Sequence, residues 1–346
     1  MPLSTPALAA ALLLLAAAVT IVLAVRLAQA PHSERFSPPP AAQDSLFVSV
    51  ASFRDRQCSP TLKLLFDRAK HPDRLRIGIC QQNSTSAPDE ECLAGLTPAQ
   101  RAQCRVLTVH SSEASGPTTA RAAIVNALYK NEATFVMIDS HMIPCKHWDT
   151  LVEADLERAR KQSPRGAAIS TYPLAHGSNP KDGVPQLTSA RFNERPPAGD
   201  GIFTQKALIR PAPAPGAPLV QQPFIAAGFY CCNRAVMSKV PWGDGFEGLF
   251  VGEEMLLAAR LFTHGVNVYA PSRNAFTHHY ERKGEKKVWD DSATRRRFKA
   301  DQRRSQAVVR GLLGLPDGTP PPAGYRFGMG TARPLSDWWR FANVQA

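Results

Sequence analysis

The chain has 346 residues, a formal net charge of +12 and a hydrophobic fraction of 44%. This length suits one large domain or two small ones. The positive charge alone would allow a nucleic-acid partner, but no helix-turn-helix pattern or basic-aromatic motif accompanies it. We therefore expect no nucleic acid among the partners.

The N-terminal part divides into a short tail (1–6), an uncharged apolar segment (7–25) and a Pro-rich stretch (26–44). The apolar segment is long enough to cross a bilayer. It predicts an uncleaved signal-anchor followed by a stem, hence a single-pass type II protein of the Golgi or ER membrane with its folded part in the lumen.

A cleaved signal peptide is the alternative, since "AQA" at 28–30 is an acceptable cleavage site. However, 19 apolar residues are long for the hydrophobic core of a signal peptide. One point weakens the signal-anchor orientation: Arg26 and Arg35 would lie on the lumenal side, whereas positive residues are usually in excess on the cytoplasmic side. Both interpretations send the chain into the secretory route.

Seven cysteines follow the apolar segment, and in an oxidising compartment they allow disulfides with one thiol left over. The adjacent Cys231 and Cys232 are not expected to bridge each other. The pairing of the others is open.

Strand-like and helix-like segments alternate through the first half of the folded part. This alternation predicts an α/β fold with a parallel sheet and helices on both of its faces. The predicted strands are 45–53, 74–80, 104–110, 134–139 and 166–171, and the predicted helices are 59–69, 116–130 and 148–160. Ser59 is the predicted N-cap of the first helix, before Pro60.

The second half is less regular. We expect a loop over 196–218, a returning strand in "PFIAAGFYCCNRAVM", and a helix over 252–265 that opens with two acidic residues. Residues 316–346 predict a C-terminal extension along the surface of a single domain over 45–315.

Ten Lys or Arg oppose four Asp or Glu between Arg282 and Arg304. This excess would attract anionic ligands such as nucleotide diphosphates. Most of these charges are better explained by a solvated basic helix, "SATRRRFKADQRRSQAVVRGLL", with Phe298 and Val309 among the residues facing inward.

A carboxylate and an imidazole, Asp139 and His141, follow the strand "TFVMID" directly. Ligands bind at the carboxyl ends of the strands in open α/β sheets. With a distant histidine from "FTHHYER" (276–282), the pair forms a mixed nitrogen and oxygen ligand set that suits Mn²⁺ or Mg²⁺. A metal together with Arg282 would neutralise the charge on a departing diphosphate.

Several motifs occur in an order that resembles one family. They are "FVSVASFRDRQCSPTLKLLFDRA", "GPTTAR", "FVMIDSHM…HWD", "ISTYP", "AAGF…VPWGDGFEGLFVGEEMLLAARLFTHG" and "HHYER", and they cover roughly residues 45 to 290. The chain resembles the polypeptide α-N-acetylglucosaminyltransferases. The resemblance implies a GT-A-type nucleotide-diphospho-sugar transferase fold, Rossmann-like with a mostly parallel sheet and flanking helices, over 45–315.

The resemblance also implies roles for individual residues. Asp139 and His141 resemble an Asp-x-His metal motif, with His278 as the third ligand and His279 as its rival. Glu253, Glu254 and Arg282 would be the catalytic group, with Glu253 the better candidate for holding the donor sugar or the acceptor. Donor contacts would come from Ala51, Ser52, Arg54, Asp55, Arg121, Asp139 and Ser140.

The implied activity is retaining transfer of GlcNAc from UDP-GlcNAc to a hydroxyl of an acceptor protein. Cytoplasmic members of the family modify hydroxyproline, whereas the apolar segment of this chain favours lumenal Ser or Thr. Two alternatives are a non-haem iron oxygenase using an Asp/His/His site, and an inactive relative that binds glycan or nucleotide. The oxygenase motif usually reads His-x-Asp, which is the reverse order.

Overall fold

The computed structural model describes residues 44–84, 90–179, 183–281, 284–290 and 292–344. These residues belong to one compact unit. None of the helices in these ranges is long and apolar enough to span a bilayer. The expected signal-anchor at 7–25 and the stem at 26–44, apart from its last residue, lie outside the described residues and stay predictions.

The described part of the chain contains thirteen strands and eight α-helices. The strands are β1 (Leu46–Phe53), β2 (Leu75–Asn83), β3 (Cys104–His110), β4 (Thr134–Asp139), β5 (Met142–Pro144), β6 (Ala167–Ser170), β7 (Leu174–Ala175), β8 (Val184–Phe192), β9 (Phe203–Arg210), β10 (Gln221–Gln222), β11 (Phe229–Asn233), β12 (Asn267–Tyr269) and β13 (Phe276–His278). The helices are α1 (Cys58–Arg68), α2 (Pro98–Ala102), α3 (Pro117–Ala127), α4 (Trp148–Gln162), α5 (Arg234–Lys239), α6 (Glu253–Thr263), α7 (Ser292–Leu312) and α8 (Leu335–Ala342).

Eight strands form the central sheet in the order β10-β12-β6-β11-β4-β1-β2-β3. Strands β3, β2, β1 and β4 are mutually parallel, and β6 and β12 run in the same direction. Only β11 and β10 are reversed within this sheet. The expectation of an α/β fold with a mostly parallel sheet is confirmed.

Helices cover both faces of this sheet, as the alternation predicts. On one face α3, α6 and α8 pack around an apolar cluster that includes Ile124, Leu257 and Trp338. On the other face α1 and α4 pack around a second cluster that includes Leu62 and Leu156. The strands between them are buried on both sides, which is why β1 and β4 read as continuous apolar runs.

A second, three-stranded sheet has the order β5-β13-β7. Its antiparallel register pairs His278 with Met142 and Thr277 with Ile143. Since Met142 directly follows His141, this pairing brings β13 beside the turn that leaves β4. The small sheet thus joins two parts of the chain that are far apart in sequence.

The second half is more ordered than its composition suggests. The expectation of a loop over 196–218 is wrong over 203–210, because β9 pairs there with β8 in an antiparallel hairpin. The C-terminal extension is not confined to the surface: Trp338 is fully buried and donates a hydrogen bond from Nε1 to the Pro223 carbonyl at 3.0 Å. Helix α1 begins at Cys58 rather than after Ser59, whose Oγ accepts from the Gly95 amide instead.

The structure pairs Cys58 with Cys92, and both lie in the apolar core beside α1. Cys231 and Cys232 are adjacent residues of β11 and remain free thiols, as expected. A buried disulfide is typical of proteins that fold in an oxidising compartment.

Candidate active site

A cleft of about 500 Å³ opens where the carboxyl ends of β1 and β4 meet the amino ends of α3 and α6. This edge of a parallel sheet is where α/β proteins bind their ligands, because the loops diverge there and helix N-termini point inward. The lining residues with polar or charged side chains include Arg121, Asp139, Ser140, His141, Tyr172, Glu253, Glu254, His278, Lys286 and Lys287.

Asp139, His141 and His278 come together in the lining of this cleft. Ligand atoms of these three side chains all lie within 4.8 Å of one another. His278 Nε2 is 3.2 Å from Asp139 Oδ2. Two neighbouring ligands, each about 2.1 Å from an octahedral ion, lie about 3 Å apart, so this spacing fits a divalent metal. His278 Nδ1 is buried without a partner among the described residues.

The buried carboxylate of Asp55 holds the His141 ring in place through its Nδ1 atom. Asp55 Oδ2 lies 2.7 Å from His141 Nδ1, and Ser140 Oγ donates to the same oxygen at 2.6 Å. Asp55 is itself only 1% exposed. A carboxylate on Nδ1 favours the tautomer whose Nε2 has a free lone pair, which is the form that binds a metal.

His279 is not part of this group of ligands. Its ring packs against that of His176 with centroids 4.5 Å apart, whereas the His278 ring lies against Tyr280 at 4.1 Å. The side chains of adjacent residues in an extended segment point in opposite directions, so only one of the two histidines faces Asp139.

Arg121 links the ligand group to the start of α6. Its guanidinium donates to Asp139 Oδ1 at 2.9 Å and forms an ion pair with Glu253. Burial by itself lowers the pKa of Arg121, but the charges of Glu253 and Asp139 outweigh burial and leave this pKa raised. The pKa of Asp139 is lowered although the group is desolvated, because His278 donates a hydrogen bond and Arg121 lies close. The two groups therefore stay charged.

The two acidic residues at the start of α6 face different partners. Glu253 accepts from Arg121 and, at 2.5 Å, from Thr118 Oγ1. Glu254 accepts from the Ala227 amide at 2.7 Å and from Tyr172 Oη at 2.9 Å. Desolvation raises the pKa of Glu254 to about 7.

Gly252 makes this start of α6 possible. Its φ of 114° lies in the region that favours glycine, and an added Cβ would meet Ile202 at 2.9 Å. The chain can therefore turn sharply into the helix, with both glutamates in its first turn.

Some of the residues expected to contact a donor line the cleft, and others do not. Ala51, Arg121, Asp139 and Ser140 line the cleft, together with Phe53. Ser52, Arg54 and Asp55 do not line it. The Arg54 side chain instead forms an ion pair with Glu90 at 2.9 Å, and Asp55 is directed at His141. Arg282, expected in the catalytic group, lies outside the described residues.

Thr118, Tyr172 and Gln205 are polar residues of the site that the sequence analysis does not single out. Thr118 lies within the motif "GPTTAR" and Tyr172 within "ISTYP", so the family motifs include both residues without indicating a role for either. Gln205, which donates to Glu254 at 3.1 Å, comes from β9. It lies in the segment expected to be a loop, and no local pattern marks it.

Comparison with known proteins identifies the family. The family described as glycosyltransferase (GlcNAc) matches residues 45–103 and 93–346. No curated protein sequence matches the chain significantly.

Solved structures share the fold at low sequence identity. The structure of GalNAc-T7 with UDP, GalNAc and Mn²⁺ aligns with a TM-score of 0.54 and 12% identity. This alignment covers 91% of the present chain, and the chain spans only 59% of GalNAc-T7. TarS of S. aureus (residues 1–349, with UDP-GlcNAc) aligns with a TM-score of 0.48 and 13% identity, over 79% of this chain and 67% of that one.

The GalNAc-T7 likeness shows a GT-A fold, which confirms the fold expectation. The structure does not support the iron oxygenase alternative, because the barrel of such oxygenases lacks the alternating strands and helices found in this chain. The family match spans nearly all of the described residues, including every residue that lines the cleft. The chain belongs to the glycosyltransferase (GlcNAc) family.

Proposed function

We propose that this protein transfers GlcNAc from UDP-GlcNAc to a Ser or Thr hydroxyl of an acceptor protein, with retention of anomeric configuration and dependence on Mn²⁺. One observation carries the proposal. The ligand group Asp139, His141 and His278 lies in a cleft of about 500 Å³ that Arg121, Glu253 and Glu254 also line.

The ligand group and Arg121 fit the diphosphate part of a UDP-sugar. A bound Mn²⁺ supplies charge that stabilises the departing diphosphate. Asp139, His141 and His278 would hold the ion through one carboxylate and two imidazoles and would leave coordination positions for phosphate oxygens. The UDP, GalNAc and Mn²⁺ present with GalNAc-T7 support this donor class, and the family description supports GlcNAc as the sugar.

Retention of configuration requires either a carboxylate nucleophile or attack on the same face as the leaving group. Both oxygens of Glu253 are already held, by Arg121 and by Thr118. Both oxygens of Glu254 are held as well, by the Ala227 amide and by Tyr172 with Gln205. A nucleophilic carboxylate needs an oxygen directed at the anomeric carbon, so these bonds disfavour a covalent intermediate.

We therefore favour front-face attack. The acceptor oxygen bonds to the anomeric carbon while the bond from that carbon to the β-phosphate oxygen breaks. The acceptor proton passes to the departing phosphate. Glu253 holds the Arg121 guanidinium against Asp139, so in this proposal the contact with sugar hydroxyls or the acceptor, first expected of Glu253, is assigned to Glu254, which lines the same cleft.

The acceptor and the compartment belong to the same proposal. The apolar segment 7–25 and the Cys58–Cys92 disulfide support a protein of the ER or Golgi membrane with a lumenal catalytic domain. Lumenal Ser or Thr is then the expected acceptor. Protease protection of an epitope-tagged C terminus in intact microsomes tests the orientation, and digestion without detergent would contradict it.

The decisive experiment measures UDP release from a panel of UDP-sugars, with Mn²⁺ or with EDTA, and with or without a Thr-containing peptide. We expect the fastest release from UDP-GlcNAc, a strict Mn²⁺ requirement and peptide-linked HexNAc by mass spectrometry. Absence of UDP release from every donor would identify an inactive relative, and preference for another sugar would overturn the donor assignment.

A further inference from the structure

A buried arginine of α6 forms no ion pair within the described ranges of the chain. Arg260 is only 3% exposed. Its Nη1 donates a hydrogen bond to the Pro241 carbonyl at 2.9 Å, whereas its Nε is buried without a hydrogen-bond partner among the described residues. Burial lowers the pKa of Arg260 to about 10, so the group is still a cation at neutral pH. Charged side chains are rarely buried unless an opposite charge compensates them.

Two phenol hydroxyls beside Arg260 are also buried without a hydrogen-bond partner among the described residues. They belong to Tyr230 of β11 and to Tyr325 in the segment before α8. Burial raises the pKa of both phenols, although the nearby charge of Arg260 opposes this rise. Both hydroxyls therefore stay protonated and can donate. The thiol of Cys232, a neighbour of Tyr230, is only a weak hydrogen-bonding group.

Gly243 leaves space between the guanidinium and one of these hydroxyls. A Cβ added to Gly243 would lie 3.3 Å from Tyr325 Oη and 3.6 Å from Arg260 Nη1. The two donors thus border the same point, which any side chain at position 243 would fill. A residue with no side chain lets both donors face a common ligand there.

The other groups near Arg260 do not neutralise its charge. The Phe327 ring, whose centre lies 5.5 Å from the guanidinium, attracts a cation but has no net charge. The carboxylate of Asp244, next in the chain to Gly243, is directed elsewhere. It accepts from Asn126 Nδ2 at 3.2 Å and lies 3.9 Å from Arg326. The described part of the site therefore combines a cation with hydroxyl donors.

We propose that Arg260, Tyr230 and Tyr325 bind a small monovalent anion of the size of chloride. A halide neutralises the guanidinium and accepts hydrogen bonds from several donors at once, which water cannot do without leaving the charge uncompensated. A dianion such as phosphate fits less well, because the described site offers a single buried cation. None of the three residues lines the cleft, so the inference goes beyond the proposed function and does not depend on it.

The position of the site gives the anion a structural role. Tyr230 lies in the central sheet and Arg260 in α6, while Tyr325 belongs to the segment that leads to α8. An anion held by all three connects these parts of the fold. Because the unfolded chain does not bring the three donors together, bound anion stabilises the folded state.

The test measures thermal unfolding of the full chain in sodium gluconate, sodium chloride or sodium bromide at constant ionic strength. EDTA is present, so that chloride bound to a metal does not contribute. We expect chloride and bromide to raise the unfolding midpoint in a saturable way. The rise should be about 2 °C when the halide reaches about ten times its dissociation constant.

Two pairs of variants locate the effect. Tyr325→Phe removes one donor, and its control Tyr129→Phe removes a hydroxyl that already donates to the Glu132 carbonyl at 2.9 Å. We expect Tyr325→Phe to weaken chloride binding about tenfold, as for loss of one hydrogen bond to a charged group. Tyr129→Phe should retain the chloride response of the wild-type protein.

The second pair keeps every donor. Gly243→Ala places a methyl group between Arg260 and Tyr325, whereas Gly328→Ala adds one where no other atom lies within 4 Å. Only Gly243→Ala should weaken chloride binding. Broadening of the chloride NMR line by the folded protein measures binding directly, so a change in the stability of a variant does not obscure the result.

The outcomes are distinct from those for the proposed function. Equal unfolding midpoints in gluconate and chloride, with no broadening of the chloride line, would overturn the inference and leave water as the partner of these donors. Equal weakening in Tyr325→Phe and Tyr129→Phe, or in the two alanine variants, would also overturn it. UDP release is not measured in any arm, so failure of the transfer assay leaves this inference intact, and the reverse holds too.

Discussion

Asp55 Oδ2 lies 2.7 Å from His141 Nδ1, and this contact joins the end of β1 to the ligand group after β4. The two residues are 86 positions apart in the chain. Ser140 Oγ and the Gln57 amide donate to the same carboxylate. The ring of His141 is therefore fixed before any metal binds.

This contact predicts the effect of Asp55→Asn. The amide retains the shape of the carboxylate but removes its charge, so His141 becomes a weaker ligand. We expect the Mn²⁺ affinity to fall about tenfold, at the low end for loss of a residue that orients a metal ligand. Titration calorimetry with Mn²⁺ measures it, and circular dichroism checks the fold. An unchanged affinity would show that Asp55 serves stability alone.

Asp139 offers a carboxylate oxygen to the candidate metal site and also accepts a hydrogen bond from Arg121. We expect Asp139→Asn and Asp139→Ala each to lower the rate of UDP release at least about 100-fold, because a metal contributes several kcal/mol to a charged leaving group. EDTA should abolish activity of the wild-type protein, with Mn²⁺ restoring it better than Ca²⁺. Undiminished turnover in EDTA would contradict a metal-dependent mechanism.

His278 and His279 provide an internally matched pair. His278→Ala removes an imidazole of the candidate metal site beside Asp139, whereas His279→Ala removes a ring that packs against His176. We expect His278→Ala to lose Mn²⁺ binding and at least about 100-fold in activity. His279→Ala should stay within a few fold of wild type. Equal losses from the two substitutions would defeat this assignment.

Glu253 tests the stereochemical route. Glu253→Gln keeps the side-chain volume but removes the negative charge beside Arg121, leaving a buried cation less well compensated. We expect turnover to fall strongly, with no sugar attached to the protein. Intact-protein and peptide mass spectrometry after brief incubation with UDP-GlcNAc measures this. A glycosyl adduct on Glu253 or Glu254 would establish a covalent route instead.

The raised pKa of Glu254 predicts that the stability of the folded protein depends on pH. Burial raises its pKa from 4.5 to about 7, so between these values the folded protein binds a proton that the unfolded chain has released. The free energy of unfolding should therefore fall as pH rises through this window. Glu254→Gln, which is neutral throughout, should show a smaller fall. Urea unfolding of both proteins at about pH 5 and about pH 8 checks the difference, and parallel curves would refute it.

The sequence by itself determined the layered α/β architecture and the location of Asp139 and His141 at a strand end. Those features follow from local periodicity: the apolar run 134–138 must be buried on both sides, and the polar residues after it must leave the sheet. The helix start at Glu253 is local in the same way, because Gly252 and two acidic residues mark it within three positions.

Only the tertiary structure decided which histidine meets Asp139. That choice depends on the antiparallel register of β13 with β5, which pairs His278 with Met142 across more than a hundred residues. Two other contacts also depend on tertiary packing. Asp55 contacts His141 rather than lining the cleft, and Gln205 reaches Glu254 because β9 pairs with β8. Each depends on contacts between distant segments, and the side-chain periodicity of one segment carries no information about which other segment will pack against it.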